Sequence, residues 1–224
     1  MKYDPSRPPD ALLAAISRDL EPVRPVPLPS RLALRVAPVA IVISSLILLV
    51  GLRRDAGVLG PFLTLGASLT QFCFAIVLTW IAARESTPAR RLPANLVWLA
   101  TAATALLVVG VSLWTFDVSP LTKPLRVSPI VMGLACGIGG TVAGTLLVIS
   151  FTIFFRRSLV ARPGLAGALY GAGAGMAVNA GWRLACPLST PWHAIGAHGS
   201  AIVATALIGA FAARQTSKRV WLGK

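Results

Sequence analysis

The chain has 224 residues, of which 55% are hydrophobic and only 12% charged, with a mean hydropathy of +0.75. A water-soluble domain of this length carries about a quarter charged residues to face solvent, so the composition excludes an ordinary soluble enzyme or binding domain and predicts a surface that faces lipid. A formal net charge of +14 raises nucleic acid as a partner, but the Lys and Arg residues sit in short clusters between long uncharged stretches. That is the pattern of membrane topology, and no direct nucleic-acid partner is expected.

In chain order, the first feature is a polar N-terminal piece of about 30 residues. Pro8-Pro9-Asp10 reads as a helix start with Asp10 in the capping place. Leu12, Ile16 and Leu20 then recur every four residues with Leu13 beside them, a single apolar stripe, while Ser17, Arg18, Asp19 and Glu21 take the other side. A helix of about ten residues is marginal alone in water and is expected to dock. Pro22, Pro25, Pro27 and Pro29 follow and favour an extended strap. The stripe fits either the membrane surface or a protein partner, and at this level the two are equal.

Six apolar stretches come next: Val36–Leu52, Ala56–Ala83, Leu92–Phe116, Val127–Phe155, Pro163–Trp182 and Leu184–Ala213. Each is close to or above the roughly 20 residues that carry a helix across a hydrocarbon core, and none alternates as a strand would. The predicted fold is an all-α membrane protein of six transmembrane helices, with a cytoplasmic segment 1–33, a helical domain 34–213 and a basic tail 214–224. The second, fourth and sixth connecting segments hold only Arg53, Arg54, Lys123, Arg126 and Arg183; every other Lys and Arg lies in the first, third, fifth and seventh. Lys and Arg stay on the cytoplasmic side of short loops, so both ends are predicted to lie in the cytoplasm. Gly133/Gly137, Gly140/Gly144 and Gly167/Gly171/Gly175, all at four-residue spacing, predict faces where two helices approach closely.

No Asp or Glu falls inside the six stretches. An ion-coupled transporter needs a carboxylate there to bind and release its ion, and paired-carboxylate chemistry is missing for the same reason. The thiols say more. Cys73 is near the middle of the second stretch and is expected to pack as a small apolar side chain. Cys136 lies about 13 Å along its helix from Val127, in the outer half, and Cys186 follows the fifth helix in an outer connection. Around Cys186 is the densest polar cluster of the chain, Cys186-Pro187-Leu188-Ser189-Thr190-Pro191-Trp192-His193 and then His198, with Asn179 one turn before on the same side. Cys and His together are ligands for a soft or borderline metal ion; equally, the two histidines could simply hydrogen-bond within the bundle while Trp192 anchors the interface.

These residues resemble the NrsF family of bacterial anti-sigma factors. The likeness runs over nearly the whole chain: Leu12-Leu13…Asp19-Leu20-x-Pro22-Val23…Pro27…Pro29, the six-span hydropathy, and Cys186-Pro187 followed by Ser189, Pro191, His193 and Gly196. The resemblance implies a six-helix inner-membrane protein, not an enzyme and without a cofactor, that restrains an extracytoplasmic-function (ECF) sigma factor. It implies that Leu12, Leu13, Ile16, Asp19, Leu20, Pro22 and Val23 grip the sigma factor. It further implies that Cys136 and Cys186, which match the places of a cysteine pair needed for the family's response, receive an oxidant or heavy-metal signal beside His193 and His198. Cys73 has no counterpart in the family pattern. Two other classes stay open on the residues alone. A small transporter or channel needs polar residues along a central path, and a membrane thiol oxidoreductase usually shows a Cys-x-x-Cys pair, which is absent here.

Overall fold

The computed structural model describes residues 10–19, 28–87, 90–118, 128–156, 158 and 161–221, and among them every regular element is helical. The first is α1, Asp10–Asp19, as the proline-aspartate start predicts. Leu12, Leu13 and Ile16 are exposed along it, and α1 takes no part in the principal helix packing. Leu20, Pro22 and Val23 lie outside the described residues.

Helix α2 spans Pro29–Leu46 and tightens into a 3-10 turn over Ile47–Val50. The last proline of the strap is therefore the first residue of a helix, several residues ahead of the apolar run. Proline is suited to that place, because the first amide of a helix needs no partner within it. Next comes α3, Ala56–Pro61, where Gly60 takes a non-helical conformation at φ 68° that favours glycine. A π-helical turn, Phe62–Gly66, leads into α4, Ala67–Glu85. Helices α5 (Ala94–Val118), α6 (Pro129–Phe155) and α7 (Pro163–Ala185) follow. A longer π-helical segment, Trp192–Gly199, opens α8, Ser200–Trp221.

Five of these rods are long and apolar enough to cross a bilayer: Pro29–Val50, Ala56–Glu85, Ala94–Val118, Ile130–Phe155 and Trp192–Lys218. Their outer faces carry Leu34, Leu49, Trp98, Leu106, Ile130, Ile138, Ile149, Leu207 and Phe211, all well exposed. Exposed apolar surface on this scale is not tolerated by a soluble monomer and suits a lipid environment. The predicted fifth span, α7, is a helix but does not stand among the five. The reason is visible in its packing. From Ala166 to Gly181 it is almost wholly buried, so it has no lipid face to make apolar and is built largely from Gly and Ala.

Helix α7 is the centre of the bundle, packed chiefly on α8 and α4 and also on α6 and α2. The glycine spacing does what it predicts. A methyl group on Gly167 would run into the carbonyl of Gly209, and one on Gly171 into that of Thr205, so α7 and α8 meet backbone to backbone. The polar groups are turned inward. Gln71 of α4 accepts a hydrogen bond from Asn179 of α7 at 3.0 Å, and Ser44 of α2 donates to the carbonyl of Ala177 at 2.8 Å. Cys73 departs from expectation: it is exposed on the outward side of α4, so it packs against nothing in the bundle core.

Candidate functional site: two thiols and two imidazoles at one end of the bundle

The chain leaves α7 at Ala185 and does not become helical again until Trp192. Pro187 and Pro191 account for the break, since neither can supply an amide to a helical ladder and each disfavours helix at the residue before it. This short extended piece carries Cys186 over the end of α7 and against α6, where Cys136 waits nine residues into the apolar run. Their sulfurs are 3.7 Å apart. Both are free thiols, since a disulfide requires about 2.05 Å.

The two histidines arrive by a different route. His193 and His198 are five residues apart, a spacing that on an α-helix would put them about 140° around the axis from one another. The segment Trp192–Gly199 is a π-helix, whose i→i+5 pattern returns to one face after five residues. Their Nε2 atoms are 3.1 Å apart and the rings cross edge to face with centroids 4.9 Å apart. His193 Nε2 is also 3.1 Å from the Cys186 sulfur. All four side chains are buried, and one ligand atom from each falls within 4.8 Å of every other. His193 Nδ1, on the far side of its ring, has no hydrogen-bond partner among the described residues.

Several neighbours hold this arrangement. Trp182 of α7 packs on both cysteines and Leu188, faces His198 edge to face at 6.3 Å, and lies against Gly139 and Gly140 of α6, where a methyl group on Gly139 would crowd its ring at 3.1 Å. Arg53, in the connection after α2, is the main fastener. It grips Asp55 through Nε and Nη2 at 2.6 and 2.7 Å, donates from Nη2 to the Ser189 hydroxyl at 2.7 Å, and reaches the Arg183 carbonyl at 3.3 Å. Its backbone amide adds a bond to the Leu184 carbonyl at 2.9 Å. The residues on either side of Cys186 are thus tied to the α2–α3 connection. Arg183 in turn donates to Thr115 of α5 at 2.8 Å and to the Leu63 carbonyl at 3.1 Å.

Of the two thiols, Cys186 is the one whose surroundings favour the thiolate. The hydrogen bond from the Cys136 thiol, followed by those of His193 and His198, holds it below the ordinary thiol range, while burial works in the opposite direction. One side of the cluster borders a cavity of about 30 Å³ lined by Arg53, Ser112, Asn179, Arg183 and Ser189 among others, large enough for a single water. The other side, at His193, borders an open groove of about 730 Å³ between α6 and the π-helical segment, with Gly133, Gly137, Trp192 and Gly196 along it.

The four predicted sensing residues, Cys136, Cys186, His193 and His198, are therefore brought together. The predicted partner-binding residues that are described, Leu12, Leu13, Ile16 and Asp19, belong to α1 and form a separate region. Sequence reasoning missed Arg53 and Trp182. Arg53 reads only as a charge between two apolar stretches and Trp182 only as the end of the fifth stretch, and no spacing in the sequence joins either to Cys186.

A family model described as NrsF, negative regulator of sigma F, matches residues 16–218. The chain belongs to the NrsF family. The match takes in every helix from the last third of α1 almost to the end of α8, and it includes all four members of the thiol–imidazole cluster. No curated protein and no solved structure matches the chain. The family's description makes this a negative regulator with a sigma factor as its partner, a regulatory and not a catalytic assignment.

Proposed function

We propose that the chain is a multi-pass anti-sigma factor of the bacterial inner membrane. In this reading its N-terminal segment holds an ECF sigma factor at the cytoplasmic face, and the cluster at Cys136 and Cys186 receives the signal that releases it. The observation that carries the reading is α1 in a chain of this family: Leu12, Leu13 and Ile16 are exposed on one short helix that stands apart from the main packing. An amphipathic helix of this kind gains its stability by laying the stripe into a partner's groove. Asp19 ends the helix, and Leu20, Pro22 and Val23 would extend the contact.

The basic-residue distribution places α1 and the tail after Ala213 inside, and puts Arg53, Arg183 and Cys186 together on the outer side. The structure is consistent with that grouping, since Arg53 bonds the Arg183 and Leu184 carbonyls and Ser189. At the outer side a two-electron oxidant would take two electrons and two protons from Cys136 and Cys186 and leave a disulfide, drawing sulfurs now 3.7 Å apart to about 2.05 Å. Because α7 contacts α2, α4, α6 and α8 at once, a pull on its C-terminal end by Cys186 acts on the whole bundle, including α2, the helix that leads from α1.

The test is co-purification of the full-length chain with a candidate ECF sigma factor from detergent extracts. Wild type retains the sigma factor, and Leu13→Asp or Ile16→Asp loses most of it while the membrane protein itself accumulates normally. Retention unchanged in both variants refutes the assignment of α1 as the grip. A protease added outside intact spheroplasts should leave the N-terminal segment uncut; cleavage there reverses the topology.

A further inference from the structure

The two guanidiniums gathered at the end of α7 are unevenly matched. Arg53 is neutralised by Asp55, which accepts two of its hydrogen bonds at 2.6 and 2.7 Å. Arg183 forms no ion pair among the described residues. Its Nη2 donates to two neutral oxygens, the Thr115 hydroxyl at 2.8 Å and the Leu63 carbonyl at 3.1 Å. Its Nε is buried and meets no acceptor among the described residues. Both guanidiniums border the cavity of about 30 Å³ between the end of α7, α5 and the α2–α3 connection, and no described carboxylate lines it. One positive charge is thus left without a counter-charge in a largely enclosed place, where an unpaired charge is unfavourable.

The wall of this cavity offers protons in excess of lone pairs. The Ser189 hydroxyl accepts from Arg53 Nη2 at 2.7 Å and gives its own proton to no acceptor among the described residues. Asn179 donates one amide hydrogen to Gln71 at 3.0 Å and has a second to give. The Thr115 hydroxyl is already engaged both ways, donating to the Val111 carbonyl at 2.6 Å and accepting from Arg183. A water here would bring further protons to a wall that already supplies them, and would leave the charge of Arg183 standing. A small anion accepts from these donors together and cancels that charge.

We propose that the cavity is a binding site for one monatomic, monovalent anion of the halide class, held by Arg183, Asn179 and Ser189. Size and charge select the class. The volume suits a guest on the scale of one water, so a halide fits and a tetrahedral oxyanion such as sulfate does not. Because Asp55 already answers Arg53, a single negative charge balances the site and a divalent one overshoots. The ion draws together α7, the connection that follows it and, through the bond from Arg183 to Thr115, helix α5. Neither thiol is needed to bind it, and the site stands independently of the sigma factor.

The experiment uses the full-length chain, purified in detergent and dialysed into halide-free gluconate buffer, with radiolabelled chloride added in equilibrium dialysis. The expected result is saturable binding of one ion per chain, displaced by bromide and not by sulfate at equal ionic strength. Arg183→Gln should weaken binding at least about tenfold, the scale of losing a hydrogen bond between charged partners. Asn179→Leu, which keeps the cation and removes an amide donor, should weaken it by a smaller factor. Arg162→Gln, which removes a cation at the opposite end of α7, should bind chloride as wild type does. Variants are compared only when they elute as wild type on gel filtration. As an independent readout on the unmodified chain, chloride and bromide should raise the thermal unfolding midpoint above its value in gluconate, because a ligand that binds only the folded chain stabilises it; sulfate should not. Absence of saturable chloride binding to wild type overturns the proposal and marks the cavity as a water site. Displacement by sulfate as effective as by bromide overturns it too, since that is the behaviour of general surface charge, and so does undiminished binding by Arg183→Gln. Each of these failures leaves co-purification with a sigma factor untouched.

Discussion

The two ends of the helical bundle are fastened by the same device and differ in what the fastening surrounds. At one end Arg53, buried, ties the α2–α3 connection to the piece after α7 through Asp55, Ser189 and two main-chain carbonyls. At the other, Glu85, fully buried at the end of α4, accepts the Leu92 amide at 2.8 Å and meets Arg162 at 3.4 Å, while the Ala161 amide bonds the Ser86 carbonyl at 3.1 Å. In each case one buried charge gathers two connections. The Glu85 end encloses main-chain groups and, among the described residues, no cluster of three or more ligating side chains. The Arg53 end encloses two thiols and two imidazoles. A fastening without a ligand set is a structural lock, whereas the same fastening beside four convergent donors keeps a reactive group in register.

The comparison can be broken by cutting each tie. Arg53→Ala should have the largest effect on folding. It removes the guanidinium that bridges Asp55, Ser189 and the Arg183 carbonyl, and losing one member of a largely buried ion pair costs about 3–5 kcal/mol; thermal unfolding in detergent measures it. The same variant should raise the alkylation rate of Cys186, because the segment carrying it loses the bonds at Leu184 and Ser189. If stability falls and Cys186 reactivity does not change, Arg53 is a lock like its counterpart. Glu85→Ala should cost less, about 1–3 kcal/mol for the stranded Leu92 amide. Its ion pair adds little because Arg162 is about half exposed. It should leave thiol reactivity at the far end unchanged. Smallest of all on stability is Ile16→Asp in α1, within about 0.5 kcal/mol as for exposed positions generally, although it should lose the sigma factor.

These two regions were not equally legible in the sequence. The rods were, because runs such as Leu92–Phe116 carry no charge and a helix is how such a run satisfies its backbone. The start of α1 at Asp10 was legible from the prolines before it. Cys136 and Cys186 could be placed at one end by counting residues along alternating spans. That His193 and His198 share a face could not, because the helical period that reads every other element puts residues five apart on different sides. Nor could Arg53 be assigned to Ser189, a contact between positions 136 residues apart in sequence that depends on how the helices are arranged. Cys73 was misjudged for a related reason. Hydropathy marks a residue as within an apolar run, but a run facing lipid on one side and protein on the other does not say which side a given thiol takes.

Helix α7 sits at the middle of the assembly and is sheathed by its neighbours over nearly its whole length. Its poverty in large apolar side chains carries a cost during synthesis. A translocating machinery sorts segments by their own greasiness, and this one, rich in glycine and alanine and carrying Asn179 and Arg183, offers little to be sorted by. It should enter the bilayer only in company, with α6 already in place and α8 arriving behind it. Chains released from the ribosome just after Ala185 should therefore leave their last helix stranded in water and be cleared by quality-control proteases. The element that organises the finished protein is thus the one least able to reach its place unaided.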